Sequence, residues 1–203
     1  MRISASLKAH KIKTLRNKSE ECQNKLAISL LNETVIVGKG ASNIQYGLQT
    51  EDKAFNKFCD MYNIDVVKSG LFFHICRPWI SASSDGLILK NGKISSVLEI
   101  KCPSSCKQKS IIDQLTGKSN LSYIEVKNGE VGLKYSHIYY TQIQMLLYCT
   151  GLNDCHLFIF NEIKPLSLII KKDLTFLENI IPILDKFYFS FYLPNLCNQS
   201  NTL

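Results

Sequence analysis

The chain of 203 residues contains no run of apolar residues long enough to cross a bilayer, since a spanning helix needs about 20 in succession. Its first residues are basic and polar and lack the apolar centre of a secretory signal. The expectation is a soluble intracellular protein, with nucleus and cytoplasm not distinguished. Charge is sparse too: 20% of residues are charged against 45% hydrophobic, a balance that excludes a disordered chain and provides for one substantial core. No Cys-x-x-Cys pair occurs among the eight cysteines, and Cys102/Cys106 or Cys149/Cys155 need ligands from elsewhere to build a metal or iron–sulfur site. Reduced, incidental thiols are the better reading. His74 and His137 have no partner histidine at metal-ligand spacing, and no internal repeat is visible. A single domain over residues 1–203, with a flexible tail over 194–203, is the simplest organisation.

Against these absences stands an excess of positive charge. The 24 Lys and Arg outnumber 17 Asp and Glu for a net +7, which favours an anionic partner, nucleic acid first. Residues 1–20 interleave Arg2, Lys8, His10, Lys11, Lys13, Arg16 and Lys18 with Ile3, Leu7, Ile12 and Leu15. This reads as a basic amphipathic helix, either laid against a phosphate backbone or simply solvated. Beyond a loop at 38–40, the apolar spacing from Ser42 to Tyr62 predicts a second amphipathic helix, with Glu51 and Asp52 off its apolar stripe.

Strands are expected from Val66 to Ile80, and a connection of helix and short hairpin from Pro103 to Lys134, with turns at Thr116-Gly117 and Asn128-Gly129. A helix over Tyr135–Leu152 stops at Gly151, strands follow at 155–160 and 166–170, and a helix over Leu174–Leu193 contains Pro182 as a kink or restart. Residues from Asn198 onward read as a frayed tail.

The organising stretch is Ser83–Pro103. Asn91-Gly92 is the dipeptide best suited to a two-residue hairpin turn, whose central residues both take positive φ. In the second flanking strand, alternation sends Leu98, Ile100 and Cys102 to one face and Glu99 and Lys101 to the other. Counting back from the turn sets Ser84 opposite Glu99, with Asp85 one position away, so a bulge or a longer loop is needed to bring Asp85 to Glu99. Two carboxylates and a lysine in this pattern suit a Mg²⁺-dependent phosphodiesterase. Oxygen ligands from Asp85, Glu99 and the Ile100 carbonyl can hold the ion, and Lys101 can orient the attacking water or stabilise the charged transition state. On its own, an acid-x-Lys pair on a strand is more often an ordinary surface ion pair.

The company of further motifs changes that balance. Ser81–Ile88 (SASSDGLI), Leu98–Pro103 (LEIKCP), Tyr139–Gln144 (YYTQIQ) followed by Thr150-Gly151, and Tyr46–Ala54 (YGLQTEDKA) occur in that arrangement along the chain. Together they resemble the YqaJ-type viral recombinase family, which includes the phage lambda exonuclease, within the PD-(D/E)XK nuclease superfamily. The resemblance implies an α/β (α+β) fold with a restriction-endonuclease-like core, a central mixed β-sheet flanked by helices. It implies a DNA exonuclease, commonly working 5′ to 3′ from linear double-stranded ends, with Mg²⁺ as cofactor, two ions, and Mn²⁺ able to substitute.

Carried over residue by residue, it makes Asp85 and Glu99 metal ligands with the Ile100 carbonyl, and sets Lys101 at the nucleophile. Glu51 is an additional acid near the metals and Gln142 positions water or substrate, while Ser83, Arg2 and Tyr139 contact substrate. A homo-oligomer and a single-strand annealing partner come with the resemblance, and a membrane does not. Ser84 replaces the proline usual before the aspartate, which loosens the turn. Arg2–Ser6 resembles the later part of a family segment whose leading arginine falls before Met1. The expectation is therefore a shortened chain or a different engagement of DNA ends. The rival expectation is a relict of a viral or mobile element that binds DNA without cutting it.

Overall fold

The computed structural model of the chain describes residues 2–5, 8–32 and 39–200. Along them run β1 (Ile3–Ser4), α1 (Lys8–Leu15), α2 (Glu20–Leu31), α3 (Lys39–Tyr62), β2 (Val66–Val67), β3 (Leu71–His74), β4 (Arg77–Ser83), β5 (Gly86–Lys90) and β6 (Lys93–Lys101). A single 3₁₀ turn at Ser104–Cys106 leads to β7 (Ile124–Lys127), β8 (Glu130–Leu133), α4 (Ile138–Thr150), β9 (Asp154–Ile159), β10 (Leu166–Lys171) and α5 (Leu174–Phe187). A π-helical turn at Tyr188–Tyr192 then joins α5 to α6 (Leu193–Ser200).

Among the described residues the strands form a five-stranded sheet in the order β10-β9-β6-β5-β2, a three-stranded sheet β1-β4-β3 and the hairpin β7-β8. The larger sheet is mixed: β6 and β9 are parallel and its other pairs antiparallel. A parallel pair needs a crossover connection, and here the crossover carries α4. This is the central mixed sheet flanked by helices that the resemblance implied.

The central strand β6 is covered on both faces, so Val97, Leu98, Glu99 and Ile100 are all buried. Leu98 and Ile100 pack with Ala54 and Phe58 of α3 and with Phe158 and Phe160. Val97 joins the larger core, which includes Ile143, Met145, Leu146 and Leu147 of α4 and Ile180, Ile181 and Leu184 of α5. The strand thus delivers its one acid into a closed interior, and the surface ion pair that the motif alone suggests does not arise.

Several boundaries differ from the sequence reading. The segment 1–20 is not one helix: Ile3 and Ser4 pair in parallel with Ile80 and Ser81 of β4, and α1 ends before Ser19, whose hydroxyl accepts the Cys22 N–H and caps α2. Two of its basic groups serve packing, because Lys8 donates to the Tyr192 hydroxyl at 2.8 Å and Lys13 lies 5.0 Å over the Phe176 ring. Lys39 and Gly40, expected in a loop, already belong to α3, while Gly38 lies outside the described residues. The helix expected between Pro103 and Lys134 shrinks to the single 3₁₀ turn, whereas Asn128-Gly129 closes β7-β8 with φ of 52° and 82°.

Helix α4 starts three residues later than expected because His137 caps it, its Nδ1 accepting the Tyr139 N–H at 3.2 Å. Gly151, at φ 76°, ends it. Pro182 sits inside α5 without breaking it. Its missing N–H deprives only the Glu178 carbonyl of a helical donor, and both residues are exposed. The flexible tail expected over 194–203, and its frayed end from Asn198, fall on α6 as far as Ser200; residues 201–203 lie outside the described residues. All eight cysteines are free thiols, and among the described residues no helix is long and apolar enough to cross a membrane.

Candidate active site

The register problem in the hairpin is solved by one extra residue. Across the turn, Lys90 pairs with Lys93 and Leu89 with Ile94; the ladder then slips, so that Ile88 pairs with Ser96 and Ser95 bulges. Asn91 and Gly92 take φ of 54° and 72°, as a two-residue turn of this hand demands. Past the bulge Gly86 faces Leu98, which puts Asp85 opposite Glu99 on the same face. The Asp85 N–H donates to the Leu98 carbonyl at 3.1 Å. A bulge shifts the register and redirects one side chain without breaking the sheet.

Asp85 immediately precedes β5, and its Oδ2 accepts the Ile100 N–H at 2.5 Å. Along a strand, the N–H and C=O of one residue point to the same side and alternate from residue to residue. The Lys101 carbonyl turns toward β9, where it accepts the Phe160 N–H at 2.8 Å. The Ile100 carbonyl therefore opens on the side of Asp85, where the resemblance required it.

Glu99 is 2% exposed. Its Oε1 accepts from Lys101 Nζ at 2.5 Å and from Gln142 Nε2 at 2.6 Å. Its Oε2 is buried with no hydrogen-bond partner. The helix α4 is what brings Gln142, 43 residues away in sequence, onto this face of β6. Lys101 also sits 4.7 Å over the centroid of the Tyr139 ring. Beside Lys101 and Tyr139 opens a cavity of about 480 Å³, walled by Asn43 and Ile44 of α3, Cys102–Ser105 and Asn120–Tyr123.

Electrostatics marks the site as short of positive charge. Burial raises the Glu99 carboxyl to about 7, with Lys101 opposing the rise and Asp85 adding to it. Asp85 is likewise raised by burial, against the pull of the Ile100 N–H and Lys101. Burial alone would lower Lys101, but the Glu99 carboxylate outweighs it and holds the ammonium charged. Glu51 is raised by burial and then by Asp85. It stands one turn before Ala54, the residue that anchors α3 on β6.

The remaining expected residues divide. Ser83 ends β4 with an exposed side chain two residues before Asp85. Ser84 does not loosen the turn: it is buried, its hydroxyl lies 2.6 Å from that of Ser69, and it donates to the Gly86 carbonyl at 3.2 Å. Nothing in the sequence signals this, because Ser69 is remote along the chain. Arg2 is not brought to the cluster. Its Nε donates to the Pro78 carbonyl at 3.1 Å and its guanidinium covers Phe73 at 4.2 Å. The parallel register of β1 with β4 sets it about 13 Å along the strand from Ser83, at ~3.3 Å per residue. Tyr123, which the sequence reading does not single out, and His137, which it considers only as a metal ligand and sets aside, pack around Tyr139. His74 stacks on Tyr148 with ring centroids 4.0 Å apart.

The donor set suits a hard divalent cation. Mg²⁺ uses one or two carboxylates and keeps several waters, and Asp85, Glu99 and the Ile100 carbonyl supply oxygen only. The unpartnered Glu99 Oε2 is a buried acceptor that a cation satisfies. Among the described residues no three His, Cys, Asp or Glu side chains close into a metal cage.

The chain is similar in fold to several solved structures. It superposes on an alkaline exonuclease from Laribacter hongkongensis with a TM-score of 0.65 and 18% identity, over 99% of this chain and 94% of that one. The same enzyme in complex with dAMP gives 0.66 and 18%, with the same coverage. A phage-related exonuclease from Haemophilus somnus 129PT gives 0.63 and 11%, over 98% and 96%. No curated protein sequence matches significantly. The family model of the YqaJ-like viral recombinase domain matches residues 1–153, a span that holds Glu51, the β5–β6 hairpin and Gln142. The chain belongs to the YqaJ-like viral recombinase domain family.

Proposed function

We propose that the protein is a divalent-metal-dependent deoxyribonuclease that degrades linear double-stranded DNA exonucleolytically, from the 5′ end. The observation that carries this reading is the buried Glu99 carboxylate, shared between Lys101 and Gln142 at one oxygen and unpartnered at the other, with Asp85 directly across the strand pair. A buried acid in want of positive charge is costly in a structural role and useful in a catalytic one.

In this reading Asp85, Glu99 and the Ile100 carbonyl hold Mg²⁺ or Mn²⁺, with Glu51 beside them for a second ion. When bound, the metal lowers the pKa of a coordinated water and offsets charge on the phosphate. The protein's own groups do the rest. The Ile100 N–H fixes one Asp85 oxygen, so that carboxylate is oriented before substrate arrives. Gln142 locks Glu99 in one rotamer by occupying Oε1. Lys101 keeps its proton beside Glu99 and presents a permanent positive charge to the water or to the non-bridging phosphate oxygen. Ser83, at the rim, offers a hydroxyl to a DNA phosphate. A homo-oligomer and a single-strand annealing partner belong to the same proposal.

The test is a linear duplex labelled at its 5′-phosphorylated end, set beside a closed circular duplex, with Mg²⁺ or with chelator. Release of mononucleotides from the linear substrate alone, only with metal, and abolished by Lys101→Met, is the expected result. Binding without cleavage in Mg²⁺ and Mn²⁺ overturns the nuclease reading in favour of a DNA-binding relict, and cutting of the circle overturns the exonucleolytic mode.

A further inference from the structure

Lys101 carries a long flexible stem and borders a cavity of about 480 Å³ into which it could swing. Its ammonium is nonetheless held at one point, 2.5 Å from Glu99 Oε1 on one side and 4.7 Å from the Tyr139 ring centroid on the other. A lysine side chain loses about 2 kcal/mol of rotamer freedom when fixed, and a single salt bridge leaves it free to pivot about the carboxylate. The ring supplies the second point of contact.

That ring is itself immobilised. Tyr123 meets Tyr139 edge-on, with centroids 4.9 Å apart at 76°, and His137 meets it at 4.8 Å and 69°. Tyr123 and His137 also touch each other at 5.3 Å, so three rings form a closed cluster. His137 is tied to the backbone as the cap of α4 by its bond from the Tyr139 N–H, and Tyr123 is 8% exposed. Aromatic pairs in these tilted and edge-on geometries are favourable and directional. Two neighbours therefore pack against Tyr139, and the Lys101 ammonium occupies a ring face.

We infer that Tyr139 is a positioning residue for Lys101, its ring face holding the ammonium beside Glu99 while Tyr123 and His137 hold the ring. The function sits in the ring and not in the hydroxyl, which separates this role from the direct substrate contact that the family resemblance assigns to Tyr139. The inference rests on the proposed nuclease site, and one of its readouts needs no turnover.

The experiment compares Tyr139→Leu with Tyr139→Phe. The leucine variant loses kcat on the order of ten-fold, the scale of a desolvated cation–π contact, with KM for duplex DNA within about two-fold of the parent. The phenylalanine variant restores most of the lost kcat. In solution NMR, the Lys101 ε-methylene protons are shifted upfield by the ring current in the parent and in Tyr139→Phe, and return to ordinary lysine positions in Tyr139→Leu. A phenylalanine variant as impaired as the leucine one overturns the inference in favour of the hydroxyl. A leucine variant with raised KM and unchanged kcat overturns it in favour of DNA contact. Ordinary lysine shifts in the parent overturn it outright. An inactive parent that retains the upfield shift supports the placement of Lys101 and removes the nuclease reading instead.

Discussion

Replacing Glu99 by Gln separates what this residue does for stability from what it does for chemistry. In the metal-free protein, burial moves the Glu99 carboxyl from 4.5 to about 7, and at ~1.4 kcal/mol per tenfold change in affinity this amounts to about 3 kcal/mol against the ionised form. The favourable pairing with Lys101, which opposes the rise, is already contained in that figure. For an acid with a raised folded-state pKa, the native chain keeps a proton that the unfolded chain has released. Stability is therefore unaffected below about pH 4.5, falls as pH rises, and reaches its full loss just above pH 7. Gln is close to Glu in shape and keeps an oxygen acceptor for Lys101 and Gln142, so Glu99→Gln removes the loss without emptying the site.

In chelator at pH 8 the variant melts higher than the parent by roughly 6–12 °C, at ~2–4 °C per kcal/mol for a chain of this size; at pH 4 the two melt together. Excess Mg²⁺ raises the parent and narrows the gap, while the variant has no nuclease activity. Scanning calorimetry at the two pH values checks this. Equal melting temperatures at pH 8 in chelator, or a gap of the same size at pH 4, refute the argument that Glu99 is a buried acid held for a cation.

Gln142→Leu removes the 2.6 Å bond to Glu99 Oε1; a hydrogen bond to a charged group is worth about 1.5–3 kcal/mol, so kcat falls roughly ten- to hundred-fold while thermal melting shows a folded chain. Gly86→Ala puts a methyl group 2.5 Å from Val66 Cγ1 and 3.3 Å from Phe55; in so tight a place the cost is about 1–3 kcal/mol, read as a lower melting temperature, and activity drops more than stability because Asp85 is the next residue. Arg77→Ala breaks the 2.9 Å pair with Asp185 and the 3.0 Å bond to the Tyr148 hydroxyl; the pair is partly exposed, so destabilisation stays near 1 kcal/mol and DNA cleavage measured below the melting transition is retained.

A cluster of acids around one buried carboxylate that is unfavourable alone fits a functional site better than a stabilising one. Asp85, Glu99 and Glu51 are all pushed toward the protonated form, each first by burial, and Asp85 adds to the rise at Glu99 and at Glu51. Lys101, largely buried, opposes the rise at all three; it pairs with Glu99 and lies 4.7 Å over the Tyr139 ring.

Local chemistry was legible wherever a residue's own backbone preference decides the outcome. Asn91-Gly92 announces a two-residue turn, Gly151 a helix stop, and the alternation in Val97–Lys101 a strand with Glu99 and Lys101 side by side, since positive φ and a period of two are properties of the residues themselves. Ordered motifs likewise indicated that Glu51, Asp85, Glu99, Lys101 and Gln142 belong together. Only the tertiary structure decided how they meet. The Ser95 bulge that puts Asp85 opposite Glu99 depends on the pairing of two strands, the Ser69–Ser84 contact that firms the turn spans distant residues, and the Tyr123–His137–Tyr139 cluster requires α4 to pack beside the approach to β7. The burial that turns Glu99 and Lys101 from an exposed pair into a site comes from α3 and α4 covering opposite faces of β6, a desolvation that no single strand carries in its own sequence.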